Sequence, residues 1–129
     1  MPISHQINED LNVVISNLEG KITDSELLHS YKNLYENPSW KPGFSEIVDM
    51  RKADMSNVSP TGLKKLSDLV TSYTINAKIQ FKTAIIAPDD LPFGLGRLYE
   101  AYSDESPEST SVFREIDKAF EWLGLDLHE

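Results

Sequence analysis

Residues 83–102, TAIIAPDDLPFGLGRLYEAY, restrict the fold of this chain more than any other segment. Ala84, Ile85, Ile86 and Ala87 are consecutively apolar, the pattern of a strand covered on both faces. Pro88-Asp89-Asp90 then makes a turn in which Asp89 or Asp90 can cap a helix. The predicted buried stripe of that helix is Leu91, Leu95, Leu98, Tyr99 and Tyr102. A doubly covered strand running straight into an amphipathic helix is the unit from which α/β sheets are built.

The flanking sequence repeats the unit. Residues 5–8 and 12–18 read as a hairpin turning at Glu9-Asp10-Leu11. Thr23 and Glu26 have capping-box spacing, so a helix follows, burying Leu27, Tyr31, Leu34 and Tyr35 and ending at Asn37-Pro38. Residues 44–50 form a third strand with Asp49 at its exit, and residues 51–58 read as a polar connection. Ser59-Pro60 starts a second helix with a capping serine and a first-turn proline, and Leu63, Leu66, Val70 and Tyr73 form its stripe. Residues 81–87 are the fourth strand. A polar, acidic loop over 103–109 leads to a short last strand over 110–113. The final helix buries Ile116, Ala119, Phe120 and Leu123, with Gly124 as its C-terminal cap. The expected fold is therefore α/β: a mixed, mainly parallel sheet of about five strands, with an N-terminal hairpin and four helices. Residues 1–125 form the expected domain and 126–129 a tail.

Composition narrows the chemistry. The 129 residues include 12 basic and 21 acidic side chains, a net charge of −9. Such a surface repels phosphate backbones and anionic headgroups, so no nucleic-acid partner is expected. No run approaches the roughly 20 apolar residues of a membrane helix, and the N-terminus lacks a secretion signal. A cytoplasmic location without integral membrane association is the expectation. With no cysteine, thiol catalysis, disulfides and thiolate metal sites are excluded.

The motifs carry little catalysis. Gly94-Leu95-Gly96 follows a strand and enters a helix as a dinucleotide loop would, but Tyr99 stands where the third glycine belongs. Both glycines are read as positions of close helix–sheet packing or of a bend. Asp89 and Asp90 have the chemistry of an acid/base or metal pair, but capping accounts for them. His5, His29 and His128 lie in different elements without ligand spacing, so no metal and no cofactor are expected. Ser59 and Thr61 place hydroxyls at a helix start, where backbone N–H groups would stabilise a phosphate; plain capping is the simpler reading. Phe93 faces either the core or a pocket beyond the carboxyl ends of the strands. Trp122 falls outside its helix's main stripe, toward a rim or an interface.

Three stretches resemble the SpoIIAA-like family of small bacterial proteins, also described as STAS/SEC14-like domains. They are IVDMRKAD at 47–54, AIIAPDDLPFGLGRLYE at 84–100 and VFREIDKAFEWLG at 112–124. The LEGKITDSEL stretch at 18–27 fits as well, and the resemblance covers nearly the whole chain. It implies a mixed, STAS-like sheet with helices on its faces and no known enzyme activity. Anti-sigma-factor antagonists of the broader group bind a kinase and are switched by phosphorylation within an Asp-Ser-Ser-Gly-Leu motif. SPTGL at 59–63 is set against that motif, with Thr61 at the modified position; Gly62, Leu63 and a hydroxyl match. The SEC14 relation implies an apolar ligand cavity.

The leading expectation is a non-enzymatic interaction or regulatory domain that binds a protein partner around Ser59 and Thr61. The alternative is a binder of a small apolar or lipid-like ligand, in a pocket formed by Phe93, Leu95, Arg97 and Tyr99. Third comes an enzyme using Asp89, Asp90 and Arg97. A homodimer is expected if Trp122 and helix-face residues are exposed.

Overall fold

The computed structural model describes residues 2–125. Five strands form one sheet in sequence order: β1 (Ile3–Asn8), β2 (Val13–Thr23), β3 (Ser45–Asn57), β4 (Phe81–Ile86) and β5 (Glu108–Phe113). β1 and β2 pair antiparallel across a four-residue turn, and every later pair is parallel. The helices are α1 (Asp24–Tyr35), α2 (Pro60–Thr74), α3 (Asp90–Tyr102) and α4 (Ile116–Leu123), with a 3-10 turn at Ile75–Ala77. This is the expected mixed α/β fold.

Handedness explains the layering. Parallel crossovers are right-handed as a rule, and β2 to β5 step across the sheet in one direction. The three crossover helices, α1 to α3, therefore fall on the same face. They bury the larger core there, including Leu18, Ile22, Leu27, Val48, Leu66 and Ile85. α4 follows the last strand and packs on the opposite face, where Ala119 meets Ile47, Ala84 and Ile86. β4 is thus covered on both faces, as its unbroken apolar run requires.

Local signals act where expected at three helix ends. Thr23 accepts from the Glu26 backbone N–H, while Glu26 Oε1 accepts from the Thr23 backbone N–H at 3.0 Å. Thr23 is also the last residue of β2, so strand passes directly into helix. Ser59 Oγ accepts from the Gly62 N–H at 3.0 Å, with Pro60 in the first turn. Gly124 closes α4 in the left-handed region at φ 75°.

Several expectations are corrected. Residues 51–57 are not a connection: β3 continues to Asn57, and Asp49 lies mid-strand. Lys52, Ala53, Asp54 and Asn57 pair with Glu19, Gly20, Lys21 and Thr23 of β2. That pairing is non-local, and only Met55 and Ile22 of this two-stranded extension are fully buried. The stretch 103–109 is not simply an exposed loop, since Ser103 is buried and β5 begins at the buried Glu108. Asp89 occupies the cap position of α3 but makes no capping hydrogen bond, and Asp90 is the first helical residue. Leu91 is 52% exposed and leaves the stripe. A Cβ on Gly96 would stand 3.1 Å from Val112, a close helix–sheet approach, whereas one on Gly94 would meet nothing within 4 Å. His128 and the 126–129 tail lie outside the described residues. No described helix is long and apolar enough to cross a membrane.

Candidate functional site

Between the sheet and α1–α3 lies a cavity of about 50 Å³. By the measure on which one water needs roughly 10–15 Å³, it has room for about three to five waters. Leu18, Leu27, Met50 and Leu66 make part of its wall apolar. The rest carries two carboxyl groups, Glu46 and Glu108, which are only 6% and 5% exposed.

Strand alternation puts the carboxyls there. Glu46 shares the phase of Val48 and Met50 along β3, and Glu108 that of Thr110 and Val112 along β5. β4 runs between these strands and sets Thr83 beside both Glu46 and Thr110. Each carboxyl is then held by one hydroxyl from a neighbouring strand and one phenol from a helix. Ser16 Oγ donates to Glu46 Oε2 at 2.5 Å, and Tyr31 Oη of α1 donates to the same oxygen at 2.6 Å. Thr83 Oγ1 donates to Glu108 Oε2 at 2.6 Å, and Tyr99 Oη of α3 donates to Glu108 Oε1 at 2.6 Å.

The network continues into β1. Ser16 gives its proton to Glu46, so the 2.7 Å contact between Ser16 Oγ and His5 Nδ1 makes Nδ1 the donor. His5 Nε2 is left unprotonated, 3.3 Å from Ser30 Oγ, whose own hydroxyl donates to the Leu27 carbonyl at 3.2 Å. The imidazole also lies edge-on to Tyr31, with ring centres 4.7 Å apart.

Desolvation dominates the electrostatics of this network. Burial pushes Glu46 up to about 7, opposed by the Ser16 and Tyr31 hydrogen bonds and reinforced by the charge of Glu108. Burial raises Glu108 as well, against the Thr83 and Tyr99 hydrogen bonds. His5 is lowered to about 4 by burial, which keeps it neutral near pH 7. Tyr31, Tyr35 and Tyr99 are pushed well above the usual phenol value, chiefly by burial, and remain protonated. Among the described residues no lysine or arginine lines the cavity. The arrangement can bind, and it can hold or release a proton.

The residues singled out in the sequence fall into separate places. Leu95 and Tyr99 line the cavity. Phe93 packs partly buried at the rim of the core, with the Arg114 guanidinium 4.1 Å over its ring. Arg97 points outward and pairs with Glu100 at 3.5 Å. Asp90 pairs with Arg114 at 3.0 Å, so Asp89, Asp90 and Arg97 are not gathered into one constellation. Ser59 is half-buried; beyond its cap, its Oγ donates to Asp24 Oδ2 at 2.5 Å and its N–H to Asp24 Oδ1 at 2.9 Å. Thr61 is exposed beside it. Trp122 is partly buried against Phe113, with Lys82 Nζ 4.9 Å from its ring centre. Among the described residues no cluster of three or more histidines and carboxylates is placed to hold a metal.

Sequence reasoning missed Glu46, Glu108, Ser16, Thr83 and His5 as a set. One signal was available. Glu46 stands in phase with Val48 and Met50 in a strand whose opposite phase holds Ile47, so neither side of that strand offers it bulk water.

No protein-family model and no curated protein matches the chain. Among solved structures, an uncharacterized protein of the DUF3478 family with a SpoIIAA-like fold, from Shewanella loihica PV-4, superposes with a TM-score of 0.60. The two are 17% identical, and the match covers 94% of this chain and 91% of the other. The fold is therefore SpoIIAA-like, in keeping with the resemblance seen in the sequence.

Proposed function

We propose that this SpoIIAA-like domain is a non-enzymatic binding module that takes a small apolar or amphipathic ligand between its sheet and α1–α3. The cavity supports this reading: its apolar wall suits a short hydrocarbon chain, and its buried carboxyls and phenols suit a polar end. At about 50 Å³ it admits a few non-hydrogen atoms, and a longer ligand would have to part the helices from the sheet. Thermal unfolding with straight-chain alcohols of increasing length tests the reading. A saturable rise in Tm that peaks at a short chain, and that is lost when Leu95→Trp fills the cavity, is expected. A flat response in the wild-type protein would contradict it.

A second reading keeps the leading sequence expectation, a protein-binding surface around the start of α2. It is favoured by one contrast: the Ser59 hydroxyl is engaged by Asp24 and the Gly62 N–H, whereas Thr61 is exposed. Here Thr61 is the modifiable hydroxyl and Ser59 holds the helix start in place. Phosphorylation mapped to Ser59 rather than Thr61 in protein from its native cells would contradict this reading.

A further inference from the structure

The two buried carboxyls are held differently. Both donors to Glu46 converge on Oε2, an arrangement a neutral acid accepts at its carbonyl oxygen as readily as a carboxylate does. Oε1 receives neither donor, which leaves that oxygen open to a hydrogen. Glu108 instead accepts on both oxygens, Thr83 on one and Tyr99 on the other, as an ionised carboxylate does. Both groups wall the same small cavity.

We propose that Glu46 and Glu108 hold one proton between them, on Glu46 Oε1, and that its release converts the cavity from a closed state to a hydrated, open one. The groups facing the pair leave no other outlet for a second charge. β1 presents His5, which is neutral near pH 7. α1 presents Tyr31 and Tyr35, and α3 presents Tyr99, all held as neutral phenols. β2 and β4 present only the hydroxyls of Ser16 and Thr83, and α2 only Leu63 and Leu66. With one proton in place the cavity carries a single charge stabilised by two hydroxyls. Without it, two like charges share a low-dielectric space with no cation on its wall, and water must enter to solvate them. The cavity has room for only a few waters, so fuller solvation of two charges parts α1 and α3, which carry Tyr31 and Tyr99, from the sheet. Burial and the neighbouring carboxylate put this release near pH 7. The device needs no bound ligand and so does not depend on the ligand reading.

Carbon-13 NMR of the glutamate side-chain carboxyls across pH 4–9 tests it on the wild-type protein. Glu46 is expected to titrate near pH 7, with the hydrogen exchange of α1 and α3 amides rising through the same midpoint by tenfold or more beyond its intrinsic pH dependence. Glu108→Gln should move the Glu46 midpoint to lower pH, because it removes the neighbouring charge. A Glu46 carboxyl that titrates in the ordinary range near 4.5, or helix exchange that ignores its titration, would overturn the proposal. If Glu108→Gln does not fold, the wild-type titration and exchange decide alone.

Discussion

Tyr31 Oη and Glu46 Oε2 stand 2.6 Å apart, joining α1 to β3 through two buried side chains. Tyr31→Phe removes this donor but keeps the ring against His5 and Tyr35. A loss of about 1–3 kcal/mol is expected, the usual range when a buried acceptor loses a partner. Urea denaturation should show a lower midpoint at unchanged m.

The pH dependence of stability should separate His5 from Glu46. Glu46 has its pKa raised from 4.5 to about 7, so its contribution is fully present below 4.5 and is lost as pH rises through about 7. His5 has its pKa lowered from 6.5 to about 4, so its contribution is present above 6.5 and is lost as pH falls through about 4. The two slopes oppose each other between about 4.5 and 6.5. Relative to the wild-type protein, Glu46→Gln should therefore remove a falling component of stability across that window, and His5→Asn a rising one. Tm measured at half-unit pH steps on the three proteins checks both signs.

Gly94→Ala and Gly96→Ala should act in opposite directions. Both positions lie in α3, where alanine is favoured over glycine by about 0.5–1 kcal/mol. Nothing opposes the new methyl at position 94. At 96 it would press on two Val112 methyls at 3.1 and 3.2 Å, and overpacking of that kind costs about 1–3 kcal/mol. Gly94→Ala is expected to raise the denaturation midpoint and Gly96→Ala to lower it.

Ser59→Ala should destabilise and Thr61→Ala should not. Ser59 caps α2 and clasps Asp24 at the start of α1, so its loss is expected to cost about 0.5–2 kcal/mol. Thr61 is exposed, and its truncation should stay within about 0.5 kcal/mol. Paired urea titrations distinguish the two.

Much of the fold was legible because its signals are local. Thr23 with Glu26, Ser59 with Pro60, and Gly124 each act within a turn or two of their own position. The apolar run ending at Ala87 required cover on both faces, and β4 has it. What escaped depends on distant partners. Polar residues 51–57 become strand because β2 lies beside them. Leu91 and Leu95 have the same character in the sequence, yet α3 turns only Leu95 toward the cavity. Glu46 and Glu108 are 62 positions apart, and only the β3–β4–β5 register brings them to one wall. A carboxylate in a strand ordinarily reads as solvent-facing. Burial becomes tolerable here through Ser16, Tyr31, Thr83 and Tyr99, contributed by four other elements and invisible as a group in the linear sequence.

The most direct test of the cavity as the functional site is methyl NMR of the wild-type protein during titration with a short straight-chain alcohol. Saturable shifts concentrated on Leu18, Leu27, Leu66 and Leu95, whose side chains wall the cavity, are expected. Shifts that grow linearly without saturation, or that fall on exposed Leu11 and Leu91 instead, would contradict it.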